Sequence, residues 1–488
     1  MAFLVGGANS AVSGYDIENS LRSDGSTTEL TRTPGSETNR ETFTFSCWHK
    51  SMSSTSFFSC ESDSNTKCVL FNHGSSQGMR TWNTVSGSTA TDIRDAAYYR
   101  DPSSWYHSVW AIDTTDGTEA NRVKMYVNGQ AITVRSGYDN YPSLNEEMGI
   151  NQAAVHTVGA RTFSGETDYL DGYLAEVHFV DGQQLTPSSF GETDEDSGIW
   201  KPKEYTGSYG TNGFFLEFKE TGTSQNSSGM GADTSGNDNH YAVTNFTAVD
   251  QCTDTPTNNF ATLRIARDPA VSGAVLSEGN LKFVTGTSGS GRALGRSVYG
   301  TIPVNKGKWY FETKILIANI FVGVAPDEGA NVAASTTSNP RFVAYYPIGN
   351  GTIGQMYTKL QTTETQPTYG DQSSANDVLG FAVDMDNKLM YVRNSGGWAD
   401  DSGNWDEANP NESTSINFDN DDTHLPGYVC PWMASSGGAT SSSVQWNFGS
   451  PPFTISSGNA DANGYGNFEY AVPSGYYAMC TKNLAKYG

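Results

Sequence analysis

Trp105-Tyr-His-Ser-Val-Trp-Ala-Ile-Asp113 is a run of aromatic and aliphatic residues that suits a buried strand. After a polar break, Arg122-Val-Lys-Met-Tyr-Val127 alternates, with Val123, Met125 and Val127 on one face and Arg122 and Lys124 on the other. Asn128-Gly129 follows at once. That dipeptide favours a type I′ hairpin, because both central residues need positive φ. The next strand, Tyr173-Leu-Ala-Glu-Val-His-Phe-Val180, is read with Tyr173, Ala175, Val177 and Phe179 on one face, stopping at Asp181-Gly182. Strands of period two joined by a tight hairpin predict half of an antiparallel β-sandwich, and the rest of the chain is arranged around it.

The order of these motifs, a tryptophan strand, then Tyr126-Val-Asn-Gly129, then Asp171-Gly-Tyr-Leu-Ala-Glu-Val177, resembles the laminin-G-like, concanavalin A-type sandwich. The resemblance runs from about Leu21 to Phe246. The opening, Leu30-Thr-Arg-Thr-Pro-Gly-Ser36 and Asn39-Arg-Glu-Thr-Phe-Thr-Phe-Ser-Cys-Trp48, resembles marine bacteriophage virion proteins that carry such modules. So do Asp254-Thr-Pro-Thr-Asn-Asn259 and the ending Val472-Pro-Ser-Gly-Tyr-Tyr-Ala-Met-Cys-Thr-Lys-Asn-Leu484.

A second strand-rich block starts after the pattern lapses between Val249 and Gly279. Gly307-Lys-Trp-Tyr-Phe-Glu312, Val322-Gly-Val-Ala325, Leu379-Gly-Phe-Ala-Val-Asp-Met-Asp-Asn387 and Trp446-Asn-Phe-Gly449 with Pro452-Phe453 follow one another. In that order they resemble a SPRY (B30.2) domain. The stretch 395–423, rich in Gly, Asp and Asn and holding Trp398 and Trp405, is longer than that family's turn and reads as a loop insertion. The expected organisation is an N-terminal arm (1–20), a laminin-G-like sandwich (21–250), a connector (251–278) and a SPRY-like sandwich with a C-terminal tail (279–488). The fold class is all-β: two tandem antiparallel β-sandwich domains of jelly-roll type.

Composition agrees. A chain of 488 residues allows two to four domains and a core that needs no staples. Its 52 glycines would suit a disordered chain, but 12% aromatic residues are too many for one, so the glycines mark turns between short strands. The formal net charge of −24 argues against nucleic acid or an anionic membrane as partner. No run approaches the roughly 18 apolar residues of a membrane span, and Met1-Ala-Phe-Leu-Val-Gly-Gly7 lacks a basic leader. A soluble protein made in the host cytoplasm is expected. Six cysteines show no metal-ligand spacing; Cys47 shares a face with Phe43 and Phe45 and reads as a buried thiol, while the state of Cys60 and Cys68 stays open.

Motifs for catalysis are weak. A glucanase needs alternating carboxylates on one strand, and the nearest match, Glu192-Thr-Asp-Glu-Asp196, lies in a Gly-flanked turn. Gly74-Ser-Ser-Gln-Gly78 has no helix after it to form a nucleophile elbow, and Gly289-Ser-Gly-Arg-Ala-Leu-Gly295 lacks the setting of a dinucleotide site. His178 projects from a strand on the face opposite Val177 and reads as structural. The loop carrying Asp233, Asn237, Asp238 and Asn239 admits two readings: oxygen ligands for calcium, or an Asx-rich turn bonded to its own backbone. No cofactor other than this calcium is expected.

Trp82, Trp398 and Trp405 sit in polar surroundings and are the candidate sugar-stacking rings, expected on rim loops. The resemblances imply a non-enzymatic virion surface protein that binds a host surface polysaccharide, of tail-fibre or receptor-binding type. Its further partners would be other virion proteins, and it would be present as a homo-oligomer or in multiple copies. A decoration or assembly protein that binds only virion proteins is the alternative, with loop tryptophans packed inward. A polysaccharide-degrading enzyme comes third.

Overall fold

The computed structural model describes residues 14–52, 55–63, 66–73, 78–99, 101–163, 166–265, 274–285, 297–317, 320–326, 342–347, 353–360, 363–365, 368–410, 416–417, 427–435 and 441–488. The motifs at 74–77 and 289–295 and much of 411–426 lie outside them. The chain forms two units, 1–259 and 260–488, each an antiparallel β-sandwich.

In the first unit one sheet runs Gln130–Ala131, Val123–Val127, Tyr106–Asp113, Thr42–Ser51, Asp171–Asp181, Ser20–Asp24, Gln251–Cys252, with Phe214–Leu216 also pairing to Asp171–Asp181. The facing sheet runs Val134–Asn140, Ser88–Asp95, Gly78–Val85, Thr66–His73, Thr55–Asp63, Val155–Val158, Glu29–Arg32, Ala242–Thr244. Between them Phe43, Phe45, Cys47, Phe58, Trp110, Val123, Met125, Val177 and Phe179 are buried, the alternation read from the sequence. The hairpin forms as expected: Val127 pairs with Gln130, and Asn128 and Gly129 have φ of 47° and 78°.

One strand departs from strict alternation. Tyr173 and Ala175 do not share a face with Val177 and Phe179. Between Ala175 and His178 the pairing with Thr42–Ser51 shifts, and Glu176 has φ 48°. A bulge inserts one residue and exchanges the faces, so the strand is inward at Leu174, outward at Tyr173 and Ala175, and inward again at Val177. Its outer side is roofed by Phe190, Tyr205, Tyr209 and Phe215, which pack around His178 and Val180.

The segment expected as an arm and residues 251–259 of the expected connector are part of this unit where they are described, while 260–265 and 274–278 of that connector belong to the second unit. Ile17 is buried and donates its N–H to Thr257 Oγ1 at 3.1 Å. Lys50, fully buried, is held by Asp254 and by Asn259 Oδ1 at 2.9 Å, with its ammonium 4.8 Å from the Tyr173 ring centre. Trp105 Nε1 donates to the same Asp254 carboxylate at 3.2 Å. Burial lowers the Lys50 pKa, and the adjacent Asp254 charge opposes that shift. Residues 251–259 are therefore a closing strap of the first sandwich.

In the second unit one sheet runs Leu263–Ile265, Ser297–Gly300, Val429–Ser435, Ile320–Pro326, Phe342–Tyr346, Ile353–Leu360, Thr363–Thr365. The other runs Ala274–Ser277, Lys282–Thr285, Ser442–Asn447, Lys308–Ile317, Val378–Asp384, Leu389–Asn394, Gly397–Ala399, Trp405–Glu407. Trp309, Phe311, Phe381, Trp446 and Phe448 fill the space between. The stretch after Asn394, expected as a loop insertion, instead extends this sheet by two short strands before the described chain breaks off at 410. The tail is pinned by Glu312, fully buried, which accepts from Tyr310 Oη (3.0 Å), Asn447 Nδ2 (3.1 Å) and the N–H groups of Glu469 and Tyr470 (2.9 Å each). Among the described residues, no helix is long and apolar enough to cross a membrane.

Candidate functional site

Trp82 lies in the middle of the strand Gly78–Val85, on the outer face of its sheet, and not on a rim loop. Met79 and Thr81 point into the core, so Arg80 and Trp82 point out. The same alternation puts Asp92 and Arg94 outward around Ile93, and Val69 and Phe71 outward around Leu70. Register then assembles two rungs. Arg94, Arg80, Phe71 and Ser56 are successive neighbours across four strands, and Asp92, Trp82, Val69 and Ser59 form the rung beside them.

The centre of this surface is ionic. Arg80 donates to Asp92 through Nε (2.7 Å) and Nη2 (3.0 Å). Arg94 donates to the same carboxylate through Nε (2.9 Å) and Nη2 (2.7 Å). Two like charges face each other across the strands, an arrangement that needs a shared counter-ion. Burial works to raise the Asp92 pKa, but the hydrogen bonds from Arg94 and Arg80 outweigh it and hold the carboxyl below its ordinary range. The guanidinium of Arg80 lies 5.1 Å from the Phe71 ring centre and 5.8 Å from that of Trp82; that of Arg94 lies 3.8 Å from the ring of Tyr138.

A two-stranded ribbon, Ala160–Phe163 with Glu166–Tyr169, walls one side. Ser59 Oγ donates to Ala160 O at 2.8 Å, tying the ribbon to the sheet. Phe163 packs with Val69, Phe71 and half-buried Trp82; the Arg161 guanidinium lies 6.0 Å from Phe71 and the Lys67 ammonium 5.1 Å from Phe163. The surface thus sets an indole beside guanidinium groups on a rigid sheet, which suits stacking and directional hydrogen bonds. Of these residues only Trp82 is a candidate from the sequence. The polar/apolar alternation of 78–85 and 88–95 was the available signal for Arg80, Asp92 and Arg94.

The other two tryptophans are elsewhere. Trp398 is buried, its ring 6.5 Å from Tyr391 in T-shaped contact and 5.5 Å from the Arg393 guanidinium, so it is an anchor and not a platform. Trp405, expected as the exposed platform, is half-buried: it meets Tyr345 edge-on at 5.6 Å and lies so close over Gly370 that a Cβ there would stand 2.7 Å from the ring. The sequence reading misplaced it because neither neighbour is near it in the chain.

In the Asp233–Asn239 loop the side chains bond backbone, as the Asx-turn reading expects. Asp233 accepts from the N–H groups of Phe215 (2.8 Å), Ser235 (2.9 Å) and Asn239 (2.8 Å) and from Ser235 Oγ (3.0 Å). Asn237 and Asn239 present amide donors to the carbonyls of Gly210, Thr211 and Gly213, while the Asn239 carbonyl accepts from Arg32. Asp238 is exposed beside His240 at 3.7 Å. These bonds are those by which an Asx-rich turn holds its own backbone.

His178 is bound beneath the roof: its Nδ1 meets Tyr209 Oη at 2.9 Å and its Nε2 lies 3.4 Å from Glu176, which also accepts from Tyr15 Oη at 3.0 Å. Its partners are the groups that hold the roof down. Asp194 accepts from Ser197 and Lys201 within the 194–201 turn, and the Lys201 ammonium also lies 3.5 Å from Glu192. Cys60 and Cys68 stand opposite each other without a bridge, and burial pushes the Cys60 thiol up to about 12.

Residues 24–189, which include this surface, match the family model of the concanavalin A-like lectin/glucanases superfamily. No curated protein sequence matches the chain. Among solved structures, the chain is similar to the SAP-like pentraxin of Limulus polyphemus (15% identity, 36% of this chain and 80% of that one, TM-score 0.26). It is also similar to laminin α1 domains LG4-5 of mouse (11%, 89% and 88%, 0.30) and to the SPRY domain of human HERC1 (13%, 37% and 95%, 0.23).

Proposed function

We propose that this chain is a non-enzymatic surface protein of a bacteriophage particle whose first sandwich binds a host surface polysaccharide. The observation that carries the reading is the Trp82 surface: a partly exposed indole beside paired guanidiniums on the outer face of a sheet within residues 24–189, which match the lectin superfamily. The phage assignment is supported by the likeness of the opening, of 254–259 and of the ending to virion proteins, and the second unit is read as a SPRY-like module. Among the described residues, buried polar groups such as the Glu176–His178 pair and Glu312 are engaged in holding covering segments, which supports the non-enzymatic reading. Weak sugar sites gain from several copies acting together, which suits a protein displayed on a particle.

A glycan array with the purified chain, together with competition for phage adsorption to host cells, tests this. Binding to a glycan and inhibition of adsorption are expected. A folded protein silent in both assays overturns it. The inward packing of Trp398 and the half-burial of Trp405 favour the second reading, an assembly protein, for the second unit. Its mark would be that unit seated against another virion protein in an intact particle.

A further inference from the structure

We infer that the Trp82 surface selects an acidic polysaccharide bearing sugar carboxylates, an inference that rests on the glycan-binding reading above. The charge balance at its centre points there. Arg80 and Arg94 share the single carboxylate of Asp92, each using Nε and Nη2, so this triad carries one net positive charge. Each guanidinium keeps Nη1 outside those four bonds. A charged N–H donor of this kind bonds a carboxylate more strongly than a neutral hydroxyl. On the ribbon side of the same face Lys67 lies over Phe163 and pairs with Glu61 at 3.5 Å, and Arg161 lies over Phe71 opposite Asp168, so the triad carries the charge that matters. Within a chain of net charge −24, the triad sets one net positive charge beside the partly exposed Trp82 ring. The Trp82 ring supplies what a simple anion would not use, a flat apolar face for a pyranose ring.

The acidity of the rest of the chain does not prevent the contact. At physiological ionic strength charges beyond about 8 Å are largely screened, so the local triad dominates what a docked sugar feels. The same acidity disfavours nucleic acid, which needs a broad positive surface to neutralise many phosphates.

The test is a titration of the full chain with alginate as the carboxylate polymer, dextran as the neutral one, dextran sulfate as the sulfate ester and single-stranded DNA as the nucleic acid. Alginate is expected to bind at least about tenfold more tightly than dextran, and Arg94→Gln to remove most of that preference. Arg94→Lys should fail to restore it, because an ammonium cannot keep two parallel bonds to Asp92. Should Arg94→Gln unfold the chain, hydrogen exchange on the unmodified protein reads the same site, with alginate expected to protect 78–95. Alginate binding that is undiminished in folded Arg94→Gln, or protection elsewhere only, overturns the inference. Dextran binding as tightly as alginate overturns it while leaving glycan recognition standing, as does tighter binding of dextran sulfate. Preferential binding of DNA replaces the sugar by a nucleic acid. No binding to any polysaccharide, here or on the array, removes both readings.

Discussion

Trp405 shows how little a residue's sequence neighbours say about its ring. It lies among Asp, Asn and Gly, yet the indole covers Gly370 and meets Tyr345, contacts made across strands. Trp405→Ala is therefore expected to cost about 2–4 kcal/mol, somewhat under the usual loss for a fully buried aromatic ring because this one is only partly buried. Denaturant unfolding measures it, and glycan binding per folded molecule should be unchanged. A melting temperature within a degree or two of the parent would show the ring to be dispensable to packing.

At the scale of elements, the hairpin at Asn128-Gly129 and the bulge at Glu176 decide which side chains reach which face. Gly129 has φ 78°, and a Cβ there would stand 2.5 Å from the Trp200 ring. Trp200 in turn donates through Nε1 to His107 at 3.1 Å, so the turn packs beneath the segment that covers the sheet. Gly129→Ala should thus combine backbone strain with a steric clash and lose more than about 1 kcal/mol, read as a drop in the melting temperature of the first unit. Asn128→Gly, which keeps positive φ available, should lose much less. Equal losses in the two variants would place the cost in Asn128 side-chain bonding, such as its carbonyl accepting from the His107 N–H at 2.8 Å.

At the scale of the molecule, the two units are expected to respond to pH in opposite directions. In the first, burial holds His49 and His107 down at about 3 and His156 at about 4. The unfolded chain then binds more protons than the folded one between those values and about 6.5, so stability rises with pH across that window and is lost on acidification. In the second, burial raises Glu312 to about 7 despite the hydrogen bonds donated to it. Here the folded chain binds the extra proton between about 4.5 and 7, and stability falls as pH rises. Calorimetry at pH 5 and 7.5 should show the transition of the first unit moving up and that of the second moving down; Glu312→Gln should flatten the second. Movement of both in one direction would contradict the assignment. The strap gives a second expectation. A chain ending at 259 should unfold cooperatively, whereas one ending at 250 strips Asp254 and Asn259 from buried Lys50 and should lose about 3–5 kcal/mol. Equal melting temperatures for the two would show the strap to be incidental.

The sequence by itself determined the all-β class, the hairpin, and the inward faces of Thr42–Ser51 and Val123–Val127, because period-two burial and turn chemistry are local properties written in consecutive residues. It also singled out Trp82, though as a loop ring. Only the tertiary structure decided the rest. A bulge shifts the phase of a strand by one residue, and nothing local in Ala175-Glu-Val177 distinguishes it from regular alternation. The strap at 251–259 looks like a linker until Asp254 meets a lysine some two hundred positions away. Arg80, Asp92 and Arg94 become one site, and Trp405 an anchor, only when register sets their strands side by side. Strand pairing depends on contacts between distant segments, and a reading made along the chain has no access to them.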